Sequence, residues 1–486
     1  MDFPDDNRPN VLLILTDQWR ADCLGFENHP VVKTPHLDEL FLDGVHFPRA
    51  YAACPTCIPA RACLWTGRKA RSLGLVGYDH TFPWNFEDTL AGTLARAGYH
   101  TQLVGKMHAS PTRNLMGFHN VVLHDGTLGY HRKPPLDYTH YDDYSTWLRE
   151  RLGTDADLRD TGLGVNSWVV NTWPYEERYH PTNWVASQSI EFLKRRDPSK
   201  PFFLTASFVR PHPPFDPPQN LLERYLNRAM PGIPVGDWVS DPEDSCRNGL
   251  RASFGRGRVD KEQLDLARAA YFALITHVDH QINRILLALA DYGIKKNTLI
   301  IFASDHGEML GDHHYWAKAV PFEGSARIPL IIRPPRMDTG FGSRQPTAIA
   351  ELMDIFPTVC DFCGVDVPES VEGKSLRPVC LGETDSVRDY LHGEHFFGPD
   401  SNHWILQGSF KYVWFSQSGV ELLFDIREDP KELHNLAPSR PDKLGSLRQI
   451  LVRELTDAPE GFVRDGELIH GRPQAARLDQ IPATPK

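Results

Sequence analysis

Residues 10–18, Asn-Val-Leu-Leu-Ile-Leu-Thr-Asp-Gln, run apolar from Val11 to Leu15 and then stop at Thr16-Asp17-Gln18. Successive apolar side chains would cover both faces of an extended chain, the pattern of a strand buried inside a parallel sheet. Residues 298–306, Thr-Leu-Ile-Ile-Phe-Ala-Ser-Asp-His, repeat it and end in Ser304-Asp305-His306. Two buried strands thus end in metal-ligating residue types. In open parallel sheets, sites form where such strand ends meet loops.

Working outward, Leu37 to Leu42 and Glu87 to Ala97 read as helices, the second stopped by Gly98, with a strand from Tyr99 to Val104. After Pro201 the rhythm returns as a strand from Phe202 to Phe208, a long helix from Leu264 to Leu289, and one further strand over Ile328 to Ile332. This alternation predicts an α/β fold, a large mostly parallel sheet sandwiched by helices. Past Ser375 the alternation fades, and Asp389 to Leu436 reads as short antiparallel strands. The expected division is a catalytic domain over 1–375 and a smaller α+β domain over 376–486. The Pro- and Gly-rich stretch from Pro211 to Arg258 reads as irregular, a lid or a subunit contact.

The chain has 486 residues, 41% hydrophobic and 24% charged, within the range of folded globular proteins. Its net charge of -11 argues against nucleic acid as a partner, which needs a basic footprint, but permits a local cationic pocket for an anion. The acidic start, MDFPDDNRPN, lacks the basic, long-apolar character of a secretory leader, and no segment is apolar enough to span a bilayer. Eight sparse cysteines argue against a disulfide scaffold, and the expected location is cytoplasmic.

The chemistry centres on Cys57-Ile58-Pro59-Ala60-Arg61, followed by Thr66-Gly67. The bare residues leave readings open: a thiolate nucleophile stabilised by Arg61 and a helix N-terminus, or a buried thiol beside a surface arginine. A zinc site combining Cys54-x-x-Cys57 with Cys360-x-x-Cys363 is disfavoured because Asp361-Phe362 lies in an apolar helical stretch.

The pattern Cys-x-Pro-x-Arg with Thr-Gly five residues on resembles the signature of the sulfatase family, in the alkaline-phosphatase-like superfamily, and is closest to its cytoplasmic bacterial arylsulfatases. The likeness extends along the chain through Thr16-Asp17-Gln18, Gly105-Lys106-Met107-His108, Arg210-Pro211-His212-Pro213-Pro214, Ser304-Asp305-His306-Gly307-Glu308, and Lys318 with Glu323 to Pro329. The resemblance implies that a formylglycine-generating maturation enzyme oxidises Cys57 to an aldehyde, whose hydrate attacks sulfur. It implies one divalent metal held by Asp17, Gln18, Asp305 and His306 with residue 57, Ca2+ first, with Mn2+ and Mg2+ as alternatives. It further implies that Arg61 assists the nucleophile, Lys106 and Lys318 neutralise sulfuryl oxygens, His212 or Lys318 protonates the alcohol, and His108 helps expel sulfate.

Gln18 and His306 depart from the commoner Asp and Asn at those positions, and Gln at the first site also occurs in phosphonate monoester hydrolases and choline sulfatases. The runner-up is therefore a phosphonate monoester or phosphodiester hydrolase, although Lys106-x-His108 is the sulfatase arrangement. A third reading, a non-catalytic binding protein on the same fold, predicts loss of a ligand or nucleophile residue, and none is lost. The expected substrate is a small aryl or alkyl sulfate, and the resemblance implies a homo-oligomer. Trp147, Trp168, Trp173 and Trp184 read either as a pocket wall or as core, and His395 or His403 as candidates to reach the substrate from the C-terminal domain.

Overall fold

The computed structural model describes residues 8–126, 142–239, 255–336 and 343–481. Its centre is a seven-stranded sheet ordered Val45–His46, Leu330–Arg333, Thr298–Ser304, Asn10–Asp17, Phe202–Pro211, His100–Gly105, Asn120–Leu123. The five strands from Thr298–Ser304 onward pair in parallel, and the other two pair antiparallel. Asn10–Asp17 lies between Phe202–Pro211 and Thr298–Ser304, all three wholly buried, as the continuous apolar runs require.

Alternate side chains serve opposite layers. Leu12 and Ile14 pack with the long helix Lys261–Asp291 and with Pro181–Arg195, whereas Val11, Leu13 and Leu15 pack with Cys57–Thr66 and Ile355–Cys363. The helix expected from Glu87 begins at Leu90, where the Thr89 hydroxyl accepts from Gly92 N at 3.1 Å. The single strand expected over Ile328 to Ile332 is two: Arg327–Ile328 pairs with Ala50–Tyr51 in a small sheet, and Leu330–Arg333 joins the large one. Pro329 stands at the break and has no N–H for a ladder. Within the stretch read as irregular, Gln219–Leu226 is a helix, and residues 240–254 lie outside the described residues.

Late in the chain, Tyr390–His395, Asn402–Gln407, Phe410–Phe415 and Glu421–Asp425 form an antiparallel sheet. Trp404, Val413 and Phe424 face Tyr51, Val320 and Phe322, while Ile405, Tyr412 and Leu423 lie under Pro441–Leu455. The period-two pattern thus joins this sheet to the main body on one face and to its own helix on the other.

Candidate active site

The Cys57–Thr66 helix is buried along its whole length, starts after extended Thr56, and ends at Gly67 in the left-handed region (φ 65°). Cys57 therefore sits at the positive end of a helix, beneath the carboxyl ends of the central strands. Its Sγ lies 3.2 Å from His306 Nε2 and 3.6 Å from Asp17 Oδ1. A register shift between Thr16 and Asp17 turns the first strand end out of its ladder, and Asp17 O accepts from His212 N at 3.1 Å. Arg61, one turn after Cys57, donates to Asp305 Oδ2 at 2.7 Å, Lys106 O at 2.8 Å and Ser207 Oγ at 3.0 Å.

Lys106 reaches the centre through a glycine. Gly105 has φ 102°, and a Cβ there would stand 1.9 Å from Ser207 O, so the backbone approach excludes a side chain. The Lys106 ammonium pairs with Asp17 Oδ2. Asp125 Oδ1 accepts from Met107 N and His108 N, each at 2.9 Å, and fixes the loop that carries His108. Lys318 lies between Ala317 and Ala319, both at positive φ, and donates to Gln18 Oε1 and, at 3.0 Å, to His212 Nε2. His212 donates from Nδ1 to Pro213 O at 2.6 Å, so Nε2 is its acceptor. Glu308 holds the other side of Gln18 and accepts from Leu310 N and Ala317 N at 2.8 and 2.6 Å.

These charges shape one another. Burial opposes ionisation of Asp17, yet Lys106, with His306 and Lys318, outweighs it and holds the carboxyl well below the usual range. Burial and Asp17 push the Cys57 thiol up, but Lys106, Lys318 and His306 bring it below the ordinary thiol value. Burial and Lys318 push His212 far down, keeping it neutral. The surroundings of residue 57 thus favour an anionic group there.

Ligand atoms of Asp17, Cys57, Asp305 and His306 all lie within 4.8 Å of one another, and all four residues are buried. His306 donates from Nδ1 to Gly307 O at 2.9 Å, so Nε2 faces the group and in the neutral ring would offer a cation its lone pair. Two carboxylates and one imidazole make an oxygen-rich donor set that fits a hard divalent cation, while the neighbouring Gln18 carboxamide oxygen accepts from Lys318. Cys54, Cys360 and Cys363 join no such group among the described residues. Cys54 packs with Cys63 and Met353, and the other two lie in the core beside Val359, as their apolar helix predicted.

A cavity of about 610 Å³ opens above Cys57 and is reached by Lys106, His108, His212 and Lys318. Of the residues expected at the site, Cys57, Lys106, His108, His212 and Lys318 line the cavity, and Asp17, Gln18, Arg61, Asp305 and His306 bond to these or to one another beneath it. None of the four tryptophans lines it. Trp173 and Trp184 are core residues, and Trp147 and Trp168 pack against that core. The aromatic lining is Tyr78, Phe396 and Phe397. His395 does arrive from the C-terminal sheet, its Nε2 2.8 Å from Thr56 Oγ1, whereas His403 stacks on His392 away from the cavity. Asp125 carried no sequence signal, and Glu308 was visible only as part of its segment.

A mostly parallel sheet that delivers two strand-end carboxylates and an imidazole to a cysteine in the first turn of a helix fits the ester hydrolases of the alkaline-phosphatase-like class. The sulfatase family profile matches residues 9–365, and that of N-sulphoglucosamine sulphohydrolase, C-terminal, matches 311–459. An arylsulfatase of Clostridium perfringens is 46% identical over 96% of this chain and 98% of its own. A choline-sulfatase of Rhizobium meliloti is 31% identical over 88% and 82%. The crystal structure of a phosphonate monoester hydrolase of Agrobacterium radiobacter superposes with TM-score 0.77 at 30% identity, over 93% of this chain and 96% of the other. The chain belongs to the sulfatase family and is a sulfuric ester hydrolase. The non-catalytic reading is set aside: its predicted loss has not occurred. Among the described residues no helix is long and apolar enough to cross a membrane.

Proposed function

We propose that the enzyme hydrolyses aryl or small alkyl sulfate monoesters with a nucleophile made by oxidising Cys57 to formylglycine, installed by a separate maturation enzyme. The observation that carries this is Cys57 at a buried helix N-terminus, 3.2 Å from His306 Nε2 and 3.6 Å from Asp17 Oδ1. A hydrated aldehyde there supplies a hydroxyl to attack sulfur and a second hydroxyl through which sulfate can leave. Asp17, Gln18, Asp305 and His306 would hold one divalent ion, Ca2+ by preference, which would polarise a sulfate oxygen and the nucleophile.

The chain's own residues supply the rest. Arg61, pinned to Asp305, keeps a fixed positive charge one turn behind the nucleophile. Lys106 and Lys318 place two buried ammonium groups where sulfuryl oxygens gain charge. The choice of proton donor to the alcohol narrows to Lys318: neutral His212 spends its one N–H on Pro213 O and orients the lysine. His108, held by Asp125, takes the proton as sulfate is expelled.

Phosphonate monoester hydrolysis remains the second reading, favoured by Gln18 and by the Agrobacterium structure. The division into 1–375 and 376–486 is our reading, supported by the antiparallel sheet that starts at Tyr390. A cytoplasmic location is retained from the sparse cysteines, and a homo-oligomer from the resemblance. Peptide mass spectrometry of active enzyme should show CHO in place of CH2SH at residue 57, and unmodified cysteine at full activity would end the mechanism. Side-by-side assays should favour 4-nitrophenyl sulfate over a phenyl phosphonate monoester, and the reverse order would promote the second reading.

A further inference from the structure

We propose that Tyr78, Phe396 and Phe397 form the leaving-group wall of the cavity, and that this wall selects sulfate monoesters of uncharged aromatic alcohols of one or two rings. The proposal rests on the sulfatase reading of the Cys57 site and deepens it.

The cavity has two chemically distinct parts. Its base is cationic and polar: Lys106, Lys318, His108 and His212 around Cys57. Its outer part is lined by Tyr78, Phe396, Phe397 and Val165, with His80 and Asn166 as the polar groups. Among the described residues that line it, the outer part holds no lysine, arginine or carboxylate. A sulfate group seated against Cys57 and the two lysines must direct its ester oxygen outward, so the alcohol meets the rings. A polyanionic sugar chain would need further cations beyond the base, and this wall offers none. A volume of about 610 Å³ is that of an ordinary small-ligand site and suits a sulfate with one or two rings.

The wall is built, not incidental. The strand Tyr390–His395 ends at it, Phe396 N donates to Val76 O at 2.7 Å, and Phe397 N donates to Ser401 Oγ at 2.9 Å. Gly77 bridges to Phe396, and a Cβ on Gly77 would stand 3.1 Å from Phe396 Cβ, so the two segments pack as closely as glycine allows. Next along the chain, the Tyr78 ring meets His108 edge-on, centroids 6.0 Å apart. The wall therefore continues into a group that handles the proton. Half-exposed rings facing a cavity gain most from another ring, through offset or edge-to-face contact.

Phe396→Leu and Phe397→Leu keep apolar bulk and remove the rings. Each should lower kcat/KM on 4-nitrophenyl sulfate about tenfold, the scale of an aromatic pair, while the inhibition constant of inorganic sulfate is unchanged because it reports the base alone. If neither variant folds, wild-type enzyme decides. Phenol should then inhibit competitively about tenfold better than cyclohexanol or 4-hydroxybenzoate. Unaltered kcat/KM in both variants, or equal inhibition by the three alcohols, would overturn the wall and leave sulfate hydrolysis standing. No sulfate release by wild-type enzyme would instead sink the underlying reading.

Discussion

The carboxyl ends of the large sheet and the end of the C-terminal antiparallel sheet meet at one cavity, yet they contribute different things. The first supplies Asp17, Asp305 and His306, and the loop after His100–Gly105 supplies Lys106 and His108. The second supplies His395, Phe396 and Phe397. The charges proposed to act on the sulfate at Asp17, Asp305 and Lys106 sit at or directly after the ends of buried strands, where geometry is rigid. Of the groups proposed to meet the alcohol, Phe396 and Phe397 arrive on a segment more than three hundred positions from Cys57, through sheet packing, and pack beside the loop that carries Tyr78. Reaction type and substrate choice are thus separable in this chain, and substitutions on the two sides should differ in kind.

Lys106→Ala is the strongest test of the first side. Removing a buried, positioned charge donor should lower kcat on an aryl sulfate by about 10²- to 10³-fold. A rate near wild type would place Lys106 outside the reacting group and break the contrast at its root.

The same contrast explains what was legible. Asp17, Cys57, Arg61, Lys106, Asp305 and Lys318 stood out as site candidates because each belongs to a short motif, with a buried strand before Asp17, Lys106 and Asp305 and a proline between Cys57 and Arg61. Gly105 is an instance, since only glycine lets Lys106 pass Ser207. The central strands were legible for a related reason, because burial on both faces writes itself as an unbroken apolar run. Ile328 to Ile332 misled because an apolar run does not reveal that Pro329 divides it between two sheets. The tryptophans read as pocket wall or core, and core is where Trp173 and Trp184 went; density of aromatics does not reveal which rings face a cavity, and the wall came from Tyr78, Phe396 and Phe397. His395 had no local signal at all, since its partner Thr56 lies 339 positions away.

His395 sharpens the comparison because it touches both sides. Its Nε2 bonds Thr56 Oγ1, the residue before the nucleophile, and burial, with His306, pushes its imidazole down to about 3. It is therefore neutral throughout the working range and acts by position. His395→Ala should lower kcat about five- to tenfold, the value of one buried hydrogen bond, and His395→Gln should restore most of it. With a neutral group on both sides of the comparison, the wild-type to variant ratio should stay flat across roughly pH 5–9. A ratio that slopes with pH, or no rescue by glutamine, would remove the positioning role.

The smallest expected effect separates two cysteines three positions apart. Burial pushes the Cys54 thiol well above the ordinary value, with Cys63 and Glu394 adding to it, whereas the cations around Cys57 bring that thiol below it. Cys54 packs with Cys63, Ala70 and Met353, and the pull of Arg71 on its thiol is too small to offset burial. Its sulfur fills space, so Cys54→Ala should remove about 1 kcal/mol of stability, the scale of one methylene-sized cavity, and leave kcat unchanged. Thermal melts read the first and steady-state rates the second. Loss of activity in Cys54→Ala equal to that in Cys57→Ala would join the two thiols in one function and undo the division between filling and chemistry drawn at this helix.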